Sequence, residues 1–244
     1  MTRVTQQRSI VLLHGVQSSR STWWRLQRDL QDLGWQVHAV DLLGHGSRRA
    51  AGPDDLTIDD LARDVLAQLP GPVNVLAGHS LGSIVALAVA GLQPQYCHQV
   101  VIEDPPGLAG SLDVGEVAAG VEESVRVARA DPDGTVVALL EENPVWSRRD
   151  AENSVQNRRA LDVDRVTRLL RTNRWDLQAL VAECPVPVQL LVATEDSALT
   201  DPDRSVVVGQ LPADQVAIID SGHTIHRERP GLWLHHVLRW AGTT

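Results

Sequence analysis

The chain has 244 residues, 43% hydrophobic and 22% charged, a composition that supports one folded domain and leaves little room for an extended disordered region. Its formal net charge of −9, from 31 acidic against 22 basic side chains, argues against nucleic acid or an anionic membrane as a partner. Residues 1–9 lack the apolar core of a secretory signal, the longest apolar stretch (84–92) is far below the roughly 20 residues of a membrane span, and Cys97 and Cys184 read as buried thiols without metal-ligand spacing, so a cytoplasmic setting is expected.

Six short apolar runs rich in β-branched residues read as buried strands: Ser9–Leu13, Gln36–Val40, 73–76, 99–102, 188–192 and 215–219. Between them the spacing predicts helices over 21–33, 57–69, Leu81–Leu92 and 201–211. Strand and helix alternate almost throughout, which predicts an α/β fold with a doubly wound, mostly parallel sheet. The alternation breaks between Pro105 and Pro187. There Val117, Val121, Val125 and Ala128, then Val163, Val166, Leu169 and Leu170, fall at helical spacing, so a helical cap is expected over about 107–184, inserted into a single domain spanning 1–244.

The strongest chemical signal is Gly78-His79-Ser80-Leu81-Gly82, a G-x-S-x-G pattern where a strand ends and a helix begins. A nucleophile on such a turn needs a strained backbone, and glycines two residues to either side remove Cβ atoms that would clash. The helix start also aims N–H groups at developing negative charge. A serine hydroxyl needs a base to take its proton, and His223, just past the last strand, stands at the same sheet edge. The side chain of His79 should point away from the serine. A carboxylate must then orient the imidazole. Asp196, after the strand over 188–192, gives the chain order serine, acid, histidine; Glu103 and Asp104, after the strand that follows the nucleophile helix, are the alternative acids. Asp201 and Asp203 read as helix-capping residues. The N–H groups of Leu81 and Val16 are the candidate oxyanion donors, and His14 is expected to brace its loop by hydrogen bonding.

Taken together, Leu13-His14-Gly15, the Asp41 to Gly46 loop, the G-x-S-x-G turn, Ala193-Thr194-Glu195-Asp196 and Gly222-His223 resemble the α/β-hydrolase fold family. Only eight residues precede Ser9 where that family usually carries two further strands, and alanine stands at 193 in place of the family's glycine. The resemblance implies a triad of Ser80, Asp196 and His223, oxyanion donors at Val16 and Leu81, and acyl transfer without metal or organic cofactor. The expected substrate is a small, neutral, apolar ester or lactone held partly by Trp146 and Trp175 of the cap. A thioesterase, carbon–carbon bond hydrolase or lyase on the same triad, and a non-enzymatic small-molecule receptor, are the alternatives.

Overall fold

Strand β1 (Ser9–Leu13) is buried at all five positions, as a strand must be when helices cover both faces of a parallel sheet. Its side chains alternate: Val11 and Leu13 enter one core, Ile10 and Leu12 the other. The computed structural model describes residues 8–107 and 114–242. Residues 1–7, read above for a secretory signal, and 108–113, at the start of the expected insertion, lie outside the described residues.

After β1 come α1 (Trp24–Asp32), β2 (Gln36–Val40), α2 (Ile58–Gln68), β3 (Val73–His79), α3 (Leu81–Leu92) and β4 (Cys97–Glu103). Five helices follow, α4 (Val114–Ala130), α5 (Pro132–Glu142), α6 (Arg148–Ala160), α7 (Val163–Thr172) and α8 (Leu177–Ala182). The sheet then resumes with β5 (Val188–Ala193), α9 (Asp201–Gln210), β6 (Val216–Ile219), α10 (Ile225–Glu228) and α11 (Pro230–Ala241). The described strands form one sheet in the order β2-β1-β3-β4-β5-β6, with every neighbouring pair parallel. The order reverses at β1, so the carboxyl ends of β1 and β3 flank the crevice where doubly wound sheets bind ligands.

One face of the sheet packs against α2, α3 and α9 through Leu61, Ile84 and Val207; the other packs against α1 and α11 through Leu30, Trp233 and Val237. Helix α3 is the most enclosed of the sheet's helices at its start, where Gly82 lies against the end of β1, and nine of its residues are buried. No helix among the described residues is long and apolar enough to cross a membrane.

The expected helix over 21–33 divides into a 3-10 turn at Arg20–Trp23, capped by the Ser19 hydroxyl, and α1. Both apolar stripes of the insertion are helical, as α4 and α7, and they pack together through Val121, Val125, Val166 and Leu170. The sequence reading missed α6 because its buried face is largely polar: Asp150, Ser154 and Asn157 point inward. A capping box between Ser147 and Asp150 starts it. Helix α8 packs back on the sheet face, with Leu177 and Val181 in the core beside α3. Asp201 and Asp203 occupy the first turn of α9, where negative charge suits the helix dipole, while Thr200 holds the N-cap position.

Candidate active site

Ser80 links β3 directly to α3 with φ 51° and ψ −121°, a conformation that costs free energy and persists only when its surroundings fix it. They do so from both sides. The Ser80 N–H donates to Glu103 O at 2.9 Å, and the Ser83 N–H donates to Ser80 O at 2.8 Å. A Cβ on Gly78 would lie 2.1 Å from Gly82 O, and one on Gly82 would lie 2.4 Å from Leu13 O. The glycines of the motif therefore allow β3, α3 and the end of β1 to meet. Gly15 also lies against the turn, since a Cβ there would sit 2.9 Å from His79 Nδ1 and 3.0 Å from Ser80 Cβ. The next residue, Val16, lines the same cavity as Ser80 and Leu81, and the Leu81 N–H, opening α3, has no intrahelical acceptor.

His14 braces this loop. Its Nδ1–H donates to Gly15 O at 2.8 Å and its Nε2 accepts from the Leu42 N–H at 3.0 Å, so the ring must be neutral. Burial lowers its pKa to about 4, and burial together with His14 pushes His45 to about 3. Unfolded imidazoles take up protons near 6.5, so between pH 6.5 and 4 the unfolded chain binds more protons and stability falls as pH falls. His14 alone contributes about 2 kcal/mol of that loss at pH 5. Urea unfolding at pH 7 and pH 5 should show a smaller loss for His14→Gln, whose amide preserves both hydrogen bonds, than for the wild type. Equal losses would contradict this assignment.

The structure places Asp104, not Asp196, on the imidazole of His223. His223 Nδ1 lies 2.6 Å from Asp104 Oδ2. The same carboxylate, fully buried at the end of β4, accepts from the Ala193 N–H at 3.1 Å, the Ser197 hydroxyl at 2.6 Å and the Ala198 N–H at 3.0 Å. With donors already on both oxygens, Asp104 acts as an acceptor, so Nδ1 of His223 carries the hydrogen and Nε2 is left basic. Asp196 is exposed, with φ 47°. The loop after β5 thus wraps Asp104 with donors, and its own Asp196 stays away from His223. His223 reaches β4 because its loop folds back across the end of β5. Glu195 N–H holds Ser221 O at 3.0 Å, Gly222 N–H donates to Glu228 Oε2 at 2.7 Å, and His79 Nε2–H donates to His223 O at 3.0 Å.

Ser80 and His223 line a cavity of about 430 Å³ beneath the inserted helices, within the size range of small-molecule sites. Trp146 and Trp175 both line it; Trp175 Nε1–H donates to Gly107 O at 3.1 Å. Val117 and Val121 of α4 and Leu170 of α7 supply apolar wall, whereas Val125 belongs to the interior of the helical insertion. The wall departs from the apolar lining expected: Arg158 of α6 and Arg227 of α10 also face the cavity. Neither helix carries an apolar stripe long enough to show from sequence which way its arginine faces.

Residues 10–235 match the family model described as the alpha/beta hydrolase family. The chain belongs to the alpha/beta hydrolase family. Among characterised relatives it is 35% identical over 126 residues to lipase LipV of Mycobacterium tuberculosis, covering 51% of this chain but only 44% of that lipase. It is 30% identical over 217 residues to the pimeloyl-[acyl-carrier protein] methyl ester esterase of Neisseria meningitidis, covering 80% of this chain and 77% of the esterase. In fold it is similar to an E-2-(acetamidomethylene)succinate hydrolase, with a TM-score of 0.79 at 18% identity over 95% of this chain and 90% of that one.

In this alpha/beta hydrolase the other alternative acid, Glu103, holds a second histidine. Its Oε1 accepts from the His226 N–H at 3.0 Å and from His226 Nδ1–H at 2.7 Å, and Oε2 accepts from Trp233 Nε1–H at 3.0 Å. Consecutive residues at the end of β4 thus anchor His223, in the loop after β6, and His226, three positions on in α10. Nothing in the sequence distinguishes Glu103 from Asp104, because strand alternation sends them to different partners only once the loop's path is known. His79, Glu103 and His226 cluster closely enough to suggest metal ligands. Their hydrogen bonds to one another's loops, to Trp233 and to Thr22 instead satisfy them as a buried polar network. Burial and the neighbouring imidazoles of His223 and His226 lower the pKa of His79 well below the usual histidine value, which keeps it a neutral donor to the His223 carbonyl.

Proposed function

We propose that the chain is a serine hydrolase that cleaves a carboxylic ester or lactone of a small substrate through an acyl-enzyme. The single observation that carries the reading is the Asp104–His223 contact at 2.6 Å, in a histidine that shares a cavity with a serine held in a strained strand-to-helix turn. Ser80 Oγ attacks the carbonyl carbon while His223 Nε2 takes its proton. The N–H groups of Leu81 and Val16 receive the charge that develops on the carbonyl oxygen. The bond to the leaving alcohol breaks as His223 returns the proton to it. Water then attacks the acyl carbon, gives a proton to the same nitrogen, and releases the acid with Ser80 restored. Asp104 fixes the tautomer and stabilises the imidazolium at each proton transfer. The relatives named as a lipase and a methyl ester esterase favour an ester over other acyl substrates.

Intact-mass analysis after treatment with a fluorophosphonate tests this reading. One adduct is expected, on Ser80 and absent from Ser80→Ala; labelling of a different serine would overturn the assignment.

A further inference from the structure

Arg227 is a buried cation, 6% exposed, yet its direct partners are two neutral hydroxyls. Its Nε–H donates to Thr22 Oγ1 at 2.8 Å and its Nη1–H donates to Ser154 Oγ at 2.7 Å. Asp150, Glu103 and Glu228 attract it through space, but among the described residues no carboxylate pairs with it. Burial lowers its pKa only to about 10, so it remains charged at neutral pH. Arg158, one turn beyond Ser154 on α6, faces the same cavity and has neither a hydrogen bond nor an ion pair among the described residues; the Glu142 charge that acts on it is not part of the cavity wall.

Leaving a buried charge without a directly paired counter-charge is costly, and this cavity holds two of one sign with no aspartate or glutamate in its described lining. Arg227 is also held rigidly. Thr22 Oγ1, accepting from Arg227, donates to His226 Nε2 at 2.7 Å, and His226 is fixed in turn by Glu103. On the other side the guanidinium stacks over the Trp146 ring, 4.5 Å from its centroid. A planar, pre-oriented fork next to an unpaired second arginine suits a planar anion.

We propose that Arg227 and Arg158 form a carboxylate-binding subsite, so that the ester or lactone hydrolysed here carries a free carboxylate and one product is a dicarboxylate or hydroxy acid. This rests on the serine-hydrolase reading and replaces the expectation of a neutral substrate.

The test pairs two aryl esters of similar length, p-nitrophenyl hydrogen glutarate and p-nitrophenyl pentanoate, with a binding measurement that needs no turnover. Wild-type kcat/KM should favour the glutarate ester by about tenfold to a hundredfold, the range of a hydrogen-bonded charge pair. Arg158→Gln should lose most of that preference, its kcat/KM falling much further on the glutarate ester than on the pentanoate ester, and should still label with the fluorophosphonate at Ser80. Glutarate should raise the Tm of the wild type and raise that of Arg158→Gln less. Arg227→Gln should behave alike if it folds, and Arg158→Gln carries the test if it does not. A wild type that labels at Ser80 but shows no preference for the glutarate ester would overturn the subsite and leave the hydrolase reading standing. Stabilisation by inorganic phosphate equal to that by glutarate would overturn the carboxylate assignment. Failure of Ser80 to label, with the glutarate shift intact, would instead count against the hydrolase reading alone.

Discussion

Asp104→Asn is expected to lower kcat on an aryl ester by about 10⁴, because an amide at this position can donate to Nδ1 and trap the imidazole with its hydrogen on the wrong nitrogen. The folded structure should survive, since the amide oxygen at the Oδ1 position keeps the Ala193 N–H and Ser197 hydroxyl donors, while the Ala198 N–H, which donates to Oδ2, loses its acceptor. Asp196→Asn, a change at an exposed loop position, should leave kcat within about twofold, as surface substitutions usually do. Steady-state kinetics with circular dichroism to verify folding separates the two. Collapse of Asp196→Asn with retained activity in Asp104→Asn would return the acid to the loop after β5.

Gly82→Ala is expected to destabilise the fold by about 3 kcal/mol or more, the upper range for overpacking. The new Cβ would lie 2.4 Å from Leu13 O and 2.7 Å from His14 O, and both are backbone atoms of the strand and loop that shape the site. Gly91→Ala in the same helix is the control: nothing lies within 4 Å of its Cβ, so it should be neutral or stabilising by up to about 1 kcal/mol. Urea midpoints measure both. Equal midpoints would show that the close approach of α3 to the end of β1 is not a constraint.

The sheet and nucleophile were legible because their signals are local. Continuous apolar runs such as Ser9–Leu13 mark strands buried on both faces, and Gly78 and Gly82 flank Ser80 because a Cβ at either would strike backbone. The carboxylate that contacts His223 was not legible, since choosing between Asp196 and Asp104 depends on where the loop after β6 folds. That path is set by one contact within the segment, Glu228 on Gly222, and one distant in sequence, Glu103 on His226. Placement after the next-to-last strand favoured Asp196, and tertiary geometry favours Asp104. The cationic wall was hidden for a different reason. Helix α6 carries no apolar stripe that would mark it in the sequence, and only its packing reveals that Ser154 and Arg158 face inward.

The most direct test of the account is to mix the protein with p-nitrophenyl acetate, quench in acid within the first turnovers, and determine by peptide mass spectrometry where the acetyl group resides. The account predicts acetylation of Ser80, lost in Ser80→Ala together with turnover. Turnover without any acetyl-Ser80, or undiminished turnover by Ser80→Ala, would contradict it.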